Sequence, residues 1–309
     1  MLYQYLLKSI LFIIIGVVFA NILIETNITA KFNFLIKPLC RASNLPDSAI
    51  AAALTCLLDS TAGKAALAEL YRNKSIRENE TITSVVLCTL PTVLGESLFR
   101  VHAPIALVFL GPALGSIYVG LNILSALMQA AAAVSYNRIM AHPRYEQTIH
   151  QPLPQIKTQV NREIIKKGIK NSVKTLRKIM PILILTTTII WALIQTNNLS
   201  YITKIFTPFL SCIQLPGESI TALIAQFIHF SAGYAVIGSL LAKDLITQKQ
   251  ALLTLLIGSM VVITMIYIKY SIAMYIGLFG KLGIKITLVN YSASMLAKTL
   301  IIIGVVCVF

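Results

Sequence analysis

The sequence predicts an all-α, polytopic membrane protein built from two inverted repeats. Three observations carry this. The chain is 57% hydrophobic and only 12% charged, with mean hydropathy +0.80, whereas soluble domains carry about 25% charged residues. Leu45–Ile76 aligns with Leu215–Ile246 at a constant offset of 170, with nine identities in 32 positions. Finally, the excess of Lys and Arg changes ends when the second copy is laid on the first.

Each half contains four apolar elements. The first half has them at about 5–24, 47–71, 80–100 and 104–136, and the second at about 179–197, 217–242, 250–268 and 272–307. They imply about six crossings plus two re-entrant or broken helices. The first repeat is assigned to 1–137 and the second to 179–309, with a basic linker over 138–178.

The first element, with Lys8, an apolar run and Val18-Phe19-Ala20, has features of a signal peptide. The repeat lays Lys8–Ile24 on Lys178–Ile194, so it reads as a retained helix. The second element opens on Leu45-Pro46 and Leu215-Pro216, and Pro suits a first helical turn. Its centre is polar and small: Asp59-Ser60-Thr61-Ala62-Gly63-Lys64 against His229-Phe230-Ser231-Ala232-Gly233-Tyr234. Irregular backbone at membrane depth is tolerated only where protein or water satisfies it. Either a kinked spanning helix or a re-entrant hairpin meets that condition, and the charges favour the hairpin. Re-entry puts Lys31, Lys37, Arg41, Arg72, Lys74, Arg77 and the linker on one face, with Lys269, Lys281 and Lys285 of the second half. That face is then the cytoplasmic one. In the third element, Glu96 and Arg100 stand four apart, as in a helix-end ion pair. The fourth elements are interrupted by Gly111-Pro112 and Gly280, so each should begin with a short separate helix.

Ten of the 26 basic residues fall between Arg138 and Lys178, against Glu146 and Glu163 alone. The run reads as a cytoplasmic loop, and no nucleic-acid partner is expected. The five cysteines form no CxxC pair or metal spacing, so no metal or other cofactor is expected. The four histidines lack a catalytic or metal-binding pattern, and no enzyme activity is expected.

Asp59 and His229 occupy equivalent positions in the duplicated centres. An ionisable group at membrane depth is a functional candidate, and both are expected to contact a solute or a coupling proton or cation. Ser60, Thr61, Gly63, Lys64, Ser231 and Gly233 offer hydroxyls, open backbone or charge beside them. Gln226 lies one turn before His229. Asn122 and Asn290, aligned after a two-residue shift, are intramembrane amides needing partners. Lys298, eleven residues from the chain end, falls near mid-membrane.

The run Leu45-Pro46 through Ser60-Thr61-Ala62-Gly63 and Leu67-Ala68-Glu69-Leu70-Tyr71 resembles a Gate, or "nucleoside recognition", domain. Leu215–Gly233 with Phe279-Gly280-Lys281-Leu282-Gly283 and Asn290 is similar to a second copy. The likeness covers most of the chain outside 138–178 and is strongest to stand-alone prokaryotic proteins of two Gate segments. It is more distant to concentrative nucleoside transporters, the membrane part of ferrous-iron transporters and spore-maturation membrane proteins. No G-x-x-x-x-G-K-[ST] loop accompanies it, which excludes a complete iron transporter. Lys64 and Tyr234 depart from the small or apolar residues that the pattern expects. The resemblance implies a multi-pass protein of the prokaryotic plasma membrane, moving a nucleoside or related polar solute by alternating access about a midplane site. A scaffold acting through the basic loop and a lipid-phosphate translocase are the alternative functions, and a homodimer is compatible with all three.

Overall fold

The computed structural model describes residues 42–57, 59–95, 102–140, 161–173 and 215–308, with isolated helical positions at 14, 18, 177, 181 and 188. Glu96, Arg100 and most of the first apolar element of each half lie outside the described residues. All regular structure among the described residues is helical, as the composition requires.

The duplicated element is a helical hairpin in both halves. In the first, α1 (Asp47–Thr55) follows Pro46 with its fixed φ of −59°. The chain turns at 56–57 and, after Asp59, enters α2 (Ser60–Arg72). Gly63 lies directly on α1: a Cβ there would come within 2.7 Å of the Ala52 carbonyl oxygen and 2.8 Å of the Cys56 amide nitrogen. In a continuous helix residues 52 and 63 would be about 16 Å apart, so the chain has reversed. At 1.5 Å per residue the limbs reach about 14 and 20 Å, short of a hydrocarbon core of about 30 Å. The hairpin therefore re-enters. The spanning alternative drops out because a full crossing needs one continuous helix.

Re-entry closes similarly in the second half. There α6 (Ser219–Ile228) and α7 (Phe230–Ala242) pair, with Gly233 against the side chain of Gln226. Gly233 and Gln226 are the repeat equivalents of Gly63 and Cys56. α7 begins and ends 170 residues after α2. The turns that follow place Lys74 and Asp244, again 170 apart, at φ 56° and 53°. Beyond them, α3 (Glu78–Leu87) and α8 (Gln248–Ile266) start on the same device. The Glu80 carboxylate accepts the Arg77 amide at 2.8 Å, and the Gln250 side chain accepts the Thr247 amide at 2.9 Å.

In the first half α3 is followed by the short α4 (Thr89–Thr92) and then α5 (Ala103–Met140). α5 breaks at Gly111, φ 78° and ψ 166°, immediately before Pro112. In the second half a π-helical turn, Tyr267–Ser271, joins α8 to α9 (Ile272–Phe279). The boundary expected between third and fourth elements near residue 270 is thus continuous helix. The chain breaks at Gly280, φ 59° and ψ −132°, before α10 (Leu282–Val308). Positive φ is open to glycine and costly for other residues. The two breaks make 103–110 and α9 the expected short helices. They also stand 169 apart, so by this register Asn122 pairs with Tyr291 rather than Asn290.

Among the described residues, three helices, 103–139, 248–279 and 282–308, are long and apolar enough to cross a membrane. Large apolar side chains such as Leu288, Leu296, Leu300 and Ile303 remain more than half exposed on α10, as a lipid-facing surface requires.

End contacts establish the inversion. At one end, the Asn137 amide donates to the Ser43 carbonyl at 2.6 Å and Lys285 pairs with Glu78 at 2.7 Å. This end holds the base of the first hairpin, the C-terminus of α5 and the N-terminus of α10. At the other, Lys249 donates to the Val306 carbonyl at 3.3 Å, and 110–114 lines a groove with 244–248. This end holds the base of the second hairpin, the Gly111 break and the C-terminus of α10. α5 and α10 therefore run in opposite directions, and the hairpins enter from opposite faces.

The halves also interlock. The first hairpin shares a core with Tyr275, Phe279, Leu282 and Ile286, and the second with Ile105, Phe109, Leu114 and Tyr118. Each half thus covers the other's hairpin with apolar surface.

Candidate functional site

Between the hairpins lies a cavity of about 260 Å³, walled by both halves. Its walls repeat. Lys64 and Tyr234, Thr89 and Ser259, Thr92 and Val262, and Val93 and Ile263 are pairs of lining residues 170 apart; His102 and Ser271, Ser125 and Ser294, and Gln129 and Lys298 are 169 apart. Duplicated positions face one space, and that space lies on the internal axis. Asn290 is about 12 Å along α10 from its start, and Lys298 about 15 Å from its end. The site is near the middle of α10, a helix long enough to cross a membrane.

The long helices supply polar stripes. On α5, Tyr118, Asn122, Ser125 and Gln129 follow at steps of four, three and four, so they share a face. On α10, Asn290, Ser294 and Lys298 do the same. These stripes bond across the cavity wall. Asn122 donates to the Tyr118 carbonyl at 2.7 Å and accepts from the Lys298 ammonium at 2.5 Å. The Ser294 hydroxyl donates to Gln129 at 3.0 Å, and Asn290 donates to the Tyr275 hydroxyl at 3.0 Å. Thr89 donates to Asn290 at 3.3 Å, which joins the halves.

The hairpins close the cavity. The Tyr234 hydroxyl donates to Tyr118 at 3.2 Å and lies 2.9 Å from His102 Nδ1. The Lys64 ammonium lies 5.4 Å from the Tyr275 ring centroid, within cation–π reach. Gln226 is 1% exposed and donates to the Thr254 carbonyl at 3.4 Å. A side chain at Gly233 or Gly258 would collide with it, so both glycines make room for this amide. Three buried hydroxyl oxygens, Thr83 Oγ1, Thr92 Oγ1 and Ser125 Oγ, have no partner among the described residues. Thr83 lies away from the cavity, and Thr92 and Ser125 line it.

The structure brings four of the expected site residues to the cavity: Lys64, Gln226, Asn122 and Asn290. Seven do not line it. Asp59 is exposed and caps α2, its Oδ1 accepting the Thr61 and Ala62 amides at 2.8 and 2.9 Å. His229 caps α7 in the same manner: its Nδ1 accepts the Ser231 amide at 3.3 Å and lies 2.6 Å from the Ser231 hydroxyl. The expectation that both contact a solute or coupling ion is therefore corrected to capping, because a helix start with four open amides draws the preceding polar side chain to itself. Ser60 and Ser231 are buried in hairpin packing, Thr61 is exposed, and Gly63 and Gly233 serve the close limb contact.

Asp59→Asn should keep the cap and melt like the parent, and Asp59→Ala should lose about 1 kcal/mol. The cavity is untouched in both, so ligand binding should persist. A thermal melt in detergent, with and without ligand, checks it.

The sequence matches the family described as "Gate: Nucleoside recognition" over residues 6–107 and again over 176–282. The chain belongs to the Gate family. The two matches cover both hairpins, so each half is one Gate segment. The Gate protein is similar along its length to three uncharacterized proteins of Methanocaldococcus jannaschii. One is 40% identical over 305 residues, covering 99% of this chain and 98% of the relative. The others are each 25% identical, over 306 and 304 residues, covering 98% and 97% of this chain and 94% and 95% of theirs. No solved structure matches the chain significantly. The matched Gate segments end before α5's polar stripe and before Asn290, Ser294 and Lys298, so eight of the 23 residues lining the cavity lie outside them.

Proposed function

We propose that this Gate protein carries a small polar solute across the membrane by alternating access. The observation that carries this reading is the central cavity, walled by equivalent positions of two inverted halves. Such a site can face either side when the halves rock about it. Its two re-entrant hairpins enter from opposite faces, so each suits a gate on its own side. A volume of about 260 Å³ lies below the roughly 300–1,000 Å³ of pockets for drug-sized ligands, which favours a metabolite. The family description, nucleoside recognition, favours a nucleoside or related compound. The basic face of the first hairpin is assigned to the cytoplasm of a prokaryotic cell. No bond-making chemistry is part of the proposal.

Reconstitution into liposomes tests it. Uptake of tritiated uridine, adenosine, uracil and orotate would be compared in the parent, Ser125→Phe, which fills the cavity, and Asn290→Leu, which removes its central amide. We expect at least one labelled solute to move, and uptake to fall at least tenfold in both variants. Asp59→Asn should retain it. Equal flux in parent and cavity-filled protein would reject the site. Absence of all flux would move the scaffold reading ahead.

A further inference from the structure

We infer that the cavity takes a small organic anion, with Lys298 and Lys64 as its counter-charges; this inference rests on the transport reading. The first observation is Lys298. Its side chain is 4% exposed at the middle of α10, and its ammonium donates to a neutral amide, Asn122. Buried ammonium groups need an opposite charge as well as hydrogen bonds. Among the described residues no acidic side chain lines the cavity. The Lys285–Glu78 ion pair lies at the bundle's end, away from the cavity.

The second observation is the remainder of the wall. Lys64 brings another cation from the first hairpin, poised over Tyr275. Thr92 and Ser125 line the same space, and their buried hydroxyls have no partner among the described residues. Two cations and two unpaired hydroxyl donors can serve several oxygens of one carboxylate or phosphate. Aromatic rings complete the wall: Phe230 meets Tyr234 at 5.7 Å between centroids, and Tyr118 meets Tyr234 at 5.6 Å. Flat rings beside cationic donors fit an anion whose body is itself unsaturated. Equivalence across the repeat sharpens this reading. Lys298 stands where the first half has Gln129, and Lys64 where the second has Tyr234, so each half contributes one cation and one neutral polar group.

The test uses the full chain purified in neutral detergent and paired probes that share a ring and differ in charge. Uracil is compared with orotate, and uridine with uridine monophosphate; acetate, orthophosphate and phosphatidylglycerol micelles extend the series. Binding is read by titration calorimetry and by thermal shift. We expect an anionic member to bind at least tenfold more tightly than its neutral partner. Lys298→Met should erase that preference without lowering the melting temperature, because an apolar side chain of similar length replaces a buried ion. Lys298→Arg should preserve part of the preference.

Equal binding of neutral and anionic partners, unchanged in Lys298→Met, would overturn the anion assignment and leave the transport reading standing. Protection by phosphatidylglycerol alone would put the charge on a lipid headgroup and overturn a soluble solute. Failure of every anion to bind folded protein overturns the assignment as well. Loss of liposome flux for all solutes, in contrast, strikes the transport reading itself.

Discussion

Gly63→Leu should collapse the first hairpin and remove most folded protein from the membrane fraction. Cβ at this position meets the Ala52 carbonyl and the Cys56 amide, which are backbone atoms with no rotamer to move. Overpacking a tight core costs about 1–3 kcal/mol, and a backbone clash belongs at the upper end of that range. The loss would spread. Cys56 and Leu67 are fully or nearly fully buried in the core that also holds Tyr275 and Phe279 of the other half. Displacing α1 from α2 therefore disturbs the wall that carries Lys64. Gly63→Ala should show the same effect in weaker form. Gly304→Ala, where an added Cβ meets nothing within 4 Å, should melt like the parent. Gly233→Ala should fall between them, since its neighbour is the side chain of Gln226 rather than backbone. Size-exclusion profiles and melts of the four variants check the order. A Gly63→Leu protein as stable as the parent would mean that α1 and α2 are not folded against each other.

Much of this architecture was legible in the residues. The 170-residue repeat located both hairpins, because Leu-Pro and Ala-Gly recur at fixed distance and serve the same turn and contact twice. Gly111 and Gly280 marked the breaks, since only a residue without Cβ reads so plainly as a positive-φ site. The direction of side chains was harder to read. Asp59 and His229 look like ligands because they are polar at a predicted membrane centre. A side chain that closes a helix start has the same sequence signature, and Asp before Ser-Thr-Ala is also a good cap. Lys64, one turn further on, points into the cavity instead.

The central stripe gave a signal that periodicity could have found. Tyr118, Asn122, Ser125 and Gln129 recur at helical spacing within an otherwise apolar run, as do Asn290, Ser294 and Lys298. Asn122, Asn290 and Lys298 stand out singly; Tyr118, Ser125, Gln129 and Ser294 do not, because Ser and Tyr are common on lipid-facing or packed surfaces. His102 and Tyr275 could not have been placed from sequence. Their approach depends on how the two halves interlock, through contacts such as His102 with Tyr234, 132 residues away.

The inverted arrangement predicts an all-or-none result at the two hairpin bases. Lys74 and Asp244 are repeat equivalents, both exposed and both in left-handed turns. In parallel repeats a cysteine at either position would react from the same side. Here Lys74 follows α2 at the end marked by the Lys285–Glu78 pair, and Asp244 follows α7 beside the Gly111 break at the other end. Lys74→Cys should therefore react with an impermeant maleimide only when the cytoplasmic face is open. Asp244→Cys should react in intact cells. The five native cysteines are first replaced by alanine or serine, because Cys307 is exposed near the Asp244 end. The assignment of faces rests on charge: Arg72, Lys74, Arg77, Arg138, Lys281 and Lys285 gather at the first end, while Lys243 and Lys249 stand at the second. Labelling of both cysteines from one side would break the inversion. Labelling from opposite sides in the reverse sense would keep the inversion and show that these lysines and arginines do not set the topology.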